Sequence, residues 1–286
     1  MLTGTRTLQP HLREFKEQGY TVFPGFMEGD RVAELRALLD PLFKVLFADN
    51  PDASRRKIHP LLGHSVLGPA CKDLAIDPTV LDFAELAMGP FLQADSFEVS
   101  GFPAREAARR GEPELWHRDH FHVAGMYADV APADARKPYT PPLACNCLIY
   151  LQEMNEETGY FQMIPGSHLD YTVIESDKQR ERHPRQRPIS LGAGDMVILH
   201  HDVLHTGCLN TAHETRYFVS NYIGRFGLPH RDSFDLPIVH ELIAEARERN
   251  DRRTLRFFGE DDDLLSRQEE TWRSMAAEDR RALIKA

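Results

Sequence analysis

Four short β-rich runs, LACNCLIYLQ, GYFQMIP, GDMVILH and TRYFVSNYIGRF, fill much of the chain between Leu143 and Phe226. Pro-Gly, Gly-Ala-Gly or polar turns separate them. Runs this short, rich in Val, Ile, Tyr and Phe and bounded by turn residues, form strands and not helices. Sequence of helical period lies on either side. Leu8, Leu12 and Phe15 recur at i, i+4 and i+7, and Val32, Leu35, Leu38, Leu39, Leu42 and Leu46 continue that period. GYTVFPGF between them reads as a strand and a turn. After about residue 232 charged helical sequence returns, as IVHELIAEARER and then LLSRQEETWRSMAAEDRRALIKA. The expected fold is mainly β with flanking helices, a sandwich or jelly roll buttressed at both ends.

The 286 residues contain no internal repeat and no low-complexity linker. We therefore expect one domain over 1–286, with a mainly helical part at 1–90, a jelly-roll core at 90–230 and a helical extension at 231–286. Lys and Arg number 34 against 44 Asp and Glu, a net charge of −10. Nucleic acids and anionic membranes reward positive charge, so neither is an expected partner. No apolar run has the length of a signal peptide or a membrane span. Cys71, Cys145, Cys147 and Cys208 form no C-x-x-C pair, which reads as buried free thiols in a cytoplasmic protein. The sequence is silent on oligomeric state.

The chemistry concentrates in ELWHRDHFH, Glu114 to His122. In extended chain, neighbouring side chains point to opposite faces, so His117 and Asp119 share one face while Arg118, His120 and His122 share the other. His117 and Asp119 can chelate a metal but leave the site short of a ligand. GDMVILHHDVLHTG supplies candidates in His200, His201 and His205, and His205 follows the strand that starts after Gly194-Asp195. Two imidazoles and one carboxylate on one face of a metal are the ligands of non-haem Fe(II) oxygenases. His201 and His205 would make a zinc pair on a helix, but Met-Val-Ile-Leu before them reads as strand. Arg216 opens the next strand, where its planar fork suits the far carboxylate of a metal-chelated dicarboxylate. Phe218, Ser220 and Tyr222 follow on the same face, and Ser220 is placed to add a hydroxyl contact.

These segments resemble, in order, the phytanoyl-CoA dioxygenase-like (PhyH) family of Fe(II)/2-oxoglutarate oxygenases. FKEQGYTVFPGFMEGDRVAELRALL is similar to the family's opening helix, strand and helix, and WHRD to its H-x-D segment. LIYLQEMNEETGYFQMIPGSH resembles its strand, acidic turn and Pro-Gly-Ser-His element. GDMVILHHDVLHTGCLNTAHETRYF resembles its distal His, Asn and Arg. The resemblance implies a double-stranded β-helix, with His117, Asp119 and His205 as iron ligands and Arg216 on 2-oxoglutarate, and with O₂ as co-substrate. It further implies a dioxygenase that oxidises, most often hydroxylates, an unactivated C–H of a small-molecule metabolite, releasing succinate and CO₂, as in biosynthetic tailoring. Asp119 separates the chain from related halogenases, which lack that carboxylate. The chain departs from the pattern at Glu114, where one branch often has Gln, and at Phe161, where it often has Thr. Met126–Pro142 has no counterpart that we can match.

Other residues receive plainer expectations. His120 and His122 are packing or loop residues, His168 hydrogen-bonds within its turn, and Trp116 walls the pocket. Arg105, Arg109 and Arg110 belong to a solvated loop, or meet a phosphate-bearing substrate. The remaining pocket wall is expected from Ile58–Val66, the loop after Asp119 and the C-terminal helices. Two alternative functions stay open: a cupin-like metal enzyme without 2-oxoglutarate, which leaves Arg216 without purpose, and a non-catalytic ligand-binding relative.

Overall fold

A computed structural model of the chain describes residues 3–119, 135–228 and 230–261. The N-terminal helix α1 (Thr3–Gln18) buries Leu8, Leu12 and Phe15 along one stripe. Gly19 ends it in the left-handed region (φ 86°), its N–H bonded to the Phe15 carbonyl at 2.9 Å. A Cβ there would lie 2.7 Å from the His168 ring, so the turn into β1 (Tyr20–Phe23) requires glycine. Helix α2 (Gly29–Ala48) turns Val32, Leu35, Leu39 and Phe43 inward. After β2 (Arg56–Ile58) come α3 (Leu67–Ala75) and α4 (Pro78–Met88). Asp77 caps α4, accepting hydrogen bonds from the backbone of Thr79 and Val80, with proline at the first helical position.

The strands that follow are β3 (Leu92–Phe102), β4 (Ala144–Tyr150), β5 (Phe161–Met163), β6 (Arg187–Ile189), β7 (Met196–His200), β8 (His205–Gly207) and β9 (Arg216–Arg225). A six-stranded antiparallel sheet runs β1-β7-β4-β9-β3-β2, and a three-stranded one runs β6-β5-β8. The long C-terminal segment contributes α5 (Pro237–Glu248) and α6 (Arg252–Phe257). Residues 262–286 and the His120 and His122 positions lie outside the described residues. The expected mainly β fold with flanking helices is the one observed, a jelly-roll core with its helices outside.

Alternation along the strands divides the interior in two. Cys145, Cys147 and Ile149 of β4, Met196 and Ile198 of β7, and Tyr217 and Val219 of β9 join the large core beneath the helices. Their neighbours Leu148, Tyr150, Val197 and Leu199 pack between the sheets with Phe161, Met163 and Ile189. The four cysteines are buried and free, as the sequence led us to expect. The long strand β3 escaped the sequence reading, as did the short strands β2, β6 and β8. In β3 the core-facing residues are Phe97 and Val99, while Ser96 and Glu98 face the cavity described below. Its polar residues thus look into a pocket and not into bulk water, and a bulge between Ala94 and Ser96 breaks the alternation further.

Candidate metal centre

His117 and His205 stand directly opposite each other in a one-pair antiparallel bridge. Each backbone N–H donates to the other's carbonyl at 3.0 Å. Asp119 extends the pairing, its N–H donating to the His201 carbonyl at 3.0 Å. The two-residue alternation then puts His117 and Asp119 on one side and Arg118 on the other. Arg118 turns into the protein and donates to the carbonyls of Ser167, Thr172 and Asp202, which locks the segment from behind. His205 is held a second time by β5, where it pairs with Met163. Ligand positions far apart in sequence are thus fixed by main-chain bonds before any side chain is considered.

The side chains converge as the sequence predicts. Nε2 of His117 and Nε2 of His205 each lie 3.6 Å from Oδ1 of Asp119. The three ligand atoms fall within 4.8 Å of one another, the one such group among the described residues. Metal–ligand bonds of about 2.1 Å at right angles place donor atoms about 3 Å apart, so small rotations complete the geometry. Tautomers agree as well. Nδ1 of His117 sits 2.8 Å from the Leu115 carbonyl and Nδ1 of His205 3.1 Å from that of Val203. A carbonyl can only accept, so both protons reside on Nδ1 and both Nε2 lone pairs face Asp119. Burial pushes the His117 imidazolium down to about 4, helped by the neighbouring His205 and opposed by Asp119. It is therefore neutral and ready to ligate at physiological pH. Burial alone would raise Asp119, but His205, His117 and the amide of Asn146 outweigh it and hold the carboxyl below its usual range. The donor set is two imidazoles and one carboxylate, which fits a divalent iron.

Behind Asp119 runs a short relay. Asn146 Nδ2 donates to Asp119 Oδ2 at 2.9 Å, and Ser220 Oγ donates to Asn146 Oδ1 at 2.7 Å. Sequence position assigns Ser220 to the co-substrate; in the structure it lines the cavity described below, with its hydroxyl proton donated to Asn146. Asn146 is the functional residue that sequence reasoning missed. The signal was an amide set between Cys145 and Cys147 inside a strand otherwise apolar and fully buried.

The metal trio opens on a cavity of about 500 Å³ that also receives Arg216, Phe218, Ser220 and Tyr222 from β9. Arg216 is 2% exposed. Its Nη1 donates to the carbonyls of Thr158 (2.9 Å), Gly159 (3.2 Å) and Cys208 (2.6 Å), while Phe102 lies under the guanidinium at 4.4 Å. Nη2 donates to Glu114 Oε1 at 2.8 Å, and Nε has no partner among the described residues. Arg216 lines the cavity that holds the candidate metal ligands, and a buried, unpaired N–H on a fixed cation suits an incoming carboxylate.

The other histidines take separate roles. His168 Nε2 lies 3.0 Å from the Lys16 carbonyl, so it hydrogen-bonds at its turn as expected. His200 stacks on His201 and sits near His168, ring centroids 4.8 Å apart in each case. Trp116 does not wall the pocket. It is buried with Ile164 and Leu204, and its indole N–H donates to the Glu181 carbonyl at 3.0 Å. Nor does Ile58–Val66 line the cavity, since Leu61 and Leu62 turn into the core; Ser54, Arg55 and Lys57 form that wall instead. From the C-terminal side the contribution is Arg231, before the helices begin. Arg109 and Arg110 are exposed, consistent with a solvated loop.

A jelly roll that aims two imidazoles and a carboxylate at one point is the architecture of the non-haem metal oxygenases. The chain belongs to the phytanoyl-CoA dioxygenase (PhyH) family, whose profile matches residues 15–218. That family works with Fe(II), 2-oxoglutarate and O₂. Among curated proteins the chain is similar to the dioxygenase FrzG of Cladobotryum sp, 21% identical over 246 residues, covering 80% of this chain and 78% of that one. Among solved structures it is similar in fold to HygX from Streptomyces hygroscopicus with nickel and 2-oxoglutarate bound. The TM-score is 0.58 at 16% identity, covering 80% of this chain and 91% of that one. It is likewise similar to the epimerase SnoN in complex with Fe³⁺, α-ketoglutarate and nogalamycin RO, with a TM-score of 0.55 at 20% identity, covering 77% and 84%.

Proposed function

We propose that this chain is an Fe(II)/2-oxoglutarate oxygenase that hydroxylates an unactivated C–H bond of a small-molecule metabolite, as a tailoring step in biosynthesis. His117, Asp119 and His205 hold the iron, and Arg216 takes the 5-carboxylate of 2-oxoglutarate. We further propose that the 286 residues act as one catalytic unit. The observation that carries this reading is that three convergent ligand atoms and a buried arginine, whose Nε has no partner among the described residues, share the lining of one cavity. A cupin-like enzyme without 2-oxoglutarate would give that Nε no carboxylate to meet. FrzG is a dioxygenase, HygX has been solved with hygromycin B bound and SnoN with nogalamycin RO, which supports a small-molecule substrate here.

Bound iron and 2-oxoglutarate supply oxidative decarboxylation to succinate and CO₂, together with the power to break the C–H bond. The protein's own residues bind, orient and exclude water. The Nδ1–carbonyl bonds fix the ring planes of His117 and His205. Ser220 and Asn146 hold one Asp119 oxygen so that the other faces the two Nε2 atoms. The three carbonyls on Nη1 hold the Arg216 plane still, and Phe102 and Phe218 keep that end of the cavity apolar. Hydroxylation asks no proton or hydrogen of the protein. Desaturation, ring closure or ketone formation would follow from a different substrate pose in the same site.

The test is an anaerobic titration of metal-free protein with Fe(II) and then 2-oxoglutarate. A weak metal-to-ligand charge-transfer band in the visible spectrum is expected on the second addition. Iron binding without that band would favour the cupin-like enzyme, and no iron binding would favour a non-catalytic relative. Arg216→Lys should still bind iron but require far more 2-oxoglutarate to develop the band, because a point charge cannot replace the fork.

A further inference from the structure

The edge of Arg216 that a ligand can use is already half taken. Nη1 is saturated by three carbonyls and Phe102 lies against the guanidinium, so a carboxylate has only the Nε–Nη2 edge. Glu114 Oε1 sits on Nη2 at 2.8 Å. This placement is built in: the Glu114 N–H donates to the Gly207 carbonyl at 2.7 Å, and Pro113 bridges to Cys208, which anchors the residue beside the β8 segment. A second cation flanks the same carboxylate. Arg55 interacts electrostatically with Glu114 and lines the same cavity, and its own described contact is a loose one over the Phe102 ring at 6.0 Å. Glu114 therefore touches a buried arginine and feels the pull of an exposed one that lines the same cavity. Burial raises its carboxyl against the pull of both cations, so the inner pairing carries a desolvation penalty that the outer one relieves.

We propose that Glu114 is a displaceable internal counter-ion: it holds the Nη2 edge of Arg216 until the 5-carboxylate of 2-oxoglutarate arrives, then swings to Arg55 at the cavity mouth. The proposal rests on the assignment of Arg216 to 2-oxoglutarate. Two carboxylates cannot share one N–H edge without repulsion, so the chain's own glutamate sets the affinity for its co-substrate. A charge-assisted hydrogen bond is worth about ten- to a hundredfold in a binding constant, which sizes the competition.

The experiment measures 2-oxoglutarate binding to the Ni(II)-loaded full chain by calorimetry, in wild type, Glu114→Gln, Arg55→Ala and Arg216→Lys. Glutamine keeps the shape and a weak hydrogen bond but removes the competing charge, so its Kd should fall about tenfold or more. Binding of 2-oxobutyrate, which lacks the distal carboxylate, should not change in that variant. Arg55→Ala, an exposed substitution that leaves the core untouched, should raise the Kd for 2-oxoglutarate by removing the place to which Glu114 retreats. An unchanged or higher Kd in Glu114→Gln overturns the proposal, as does an unchanged Kd in Arg55→Ala. If those results come with weakened binding in Arg216→Lys, the arginine assignment survives alone. If Arg216→Lys binds 2-oxoglutarate as wild type does, the assignment and the proposal both fall.

Discussion

Two groups of histidines lie in this protein, and they are built in opposite ways. His117 and His205 each tie Nδ1 to a backbone carbonyl two residues earlier and turn Nε2 toward Asp119. His168, His200 and His201 pack as a run of rings, with His168 fixed through Nε2 to Lys16 and His200 accepting an N–H from Asp202 on Nδ1. His205, His168 and His200 are buried, while His117 and His201 are half-buried, so depth does not sort the two groups. What marks the candidate ligands is a carboxylate facing the ring nitrogen that the backbone leaves free. Burial pushes His168 down to about 4, much as it does His117, so a low imidazole pKa alone does not mark the metal site.

The strongest way to break this contrast is Asp119→Ala. It should abolish iron binding and turnover while the thermal unfolding midpoint stays near wild type, since the backbone pairing persists; retained turnover would remove the trio from the chemistry. Asn146→Ala should act less severely. Losing the amide that orients Asp119 is expected to weaken metal affinity by about 10–100-fold, read by competition with a chelating dye. The smallest effect belongs to the second group. Unfolded chain takes up a proton on His168 as pH falls through 6.5, while the native state resists until about 4, so stability is lost as pH falls across that window. His168→Gln should show a shallower decline of melting temperature between those values than wild type, with iron affinity unchanged.

The two groups also show how far the sequence could be read. His117, Asp119 and His205 were legible because strand alternation and a simple donor count suffice to select them. Arg216 was expected from its place on the strand after His205 and from the resemblance; its burial was not legible, since a strand arginine is ordinarily a surface residue. Ser220 lies on the expected face, but its bond to Asn146 was not legible, since it crosses between β9 and β4 and depends on their register. Trp116 looked like a pocket wall beside His117, but alternation had already sent it to the other side with Arg118. Strand β3 hid because its polar face lines a cavity: the usual rule of polar outside and apolar inside fails wherever a pocket replaces the solvent. The pocket wall at Ser54–Lys57 carried no pattern, since exposed residues on a short edge strand look like any loop.

The mutual bonds between His117 and His205 reach beyond the metal. They join the candidate ligands across the sheets, with Asp119 and Ala144 both anchored to the His200–His201 strand end. The spacing of those side chains is therefore a property of register: a slip of one residue in the 117–119 segment would turn His117 and Asp119 away and bring Arg118 round in their place.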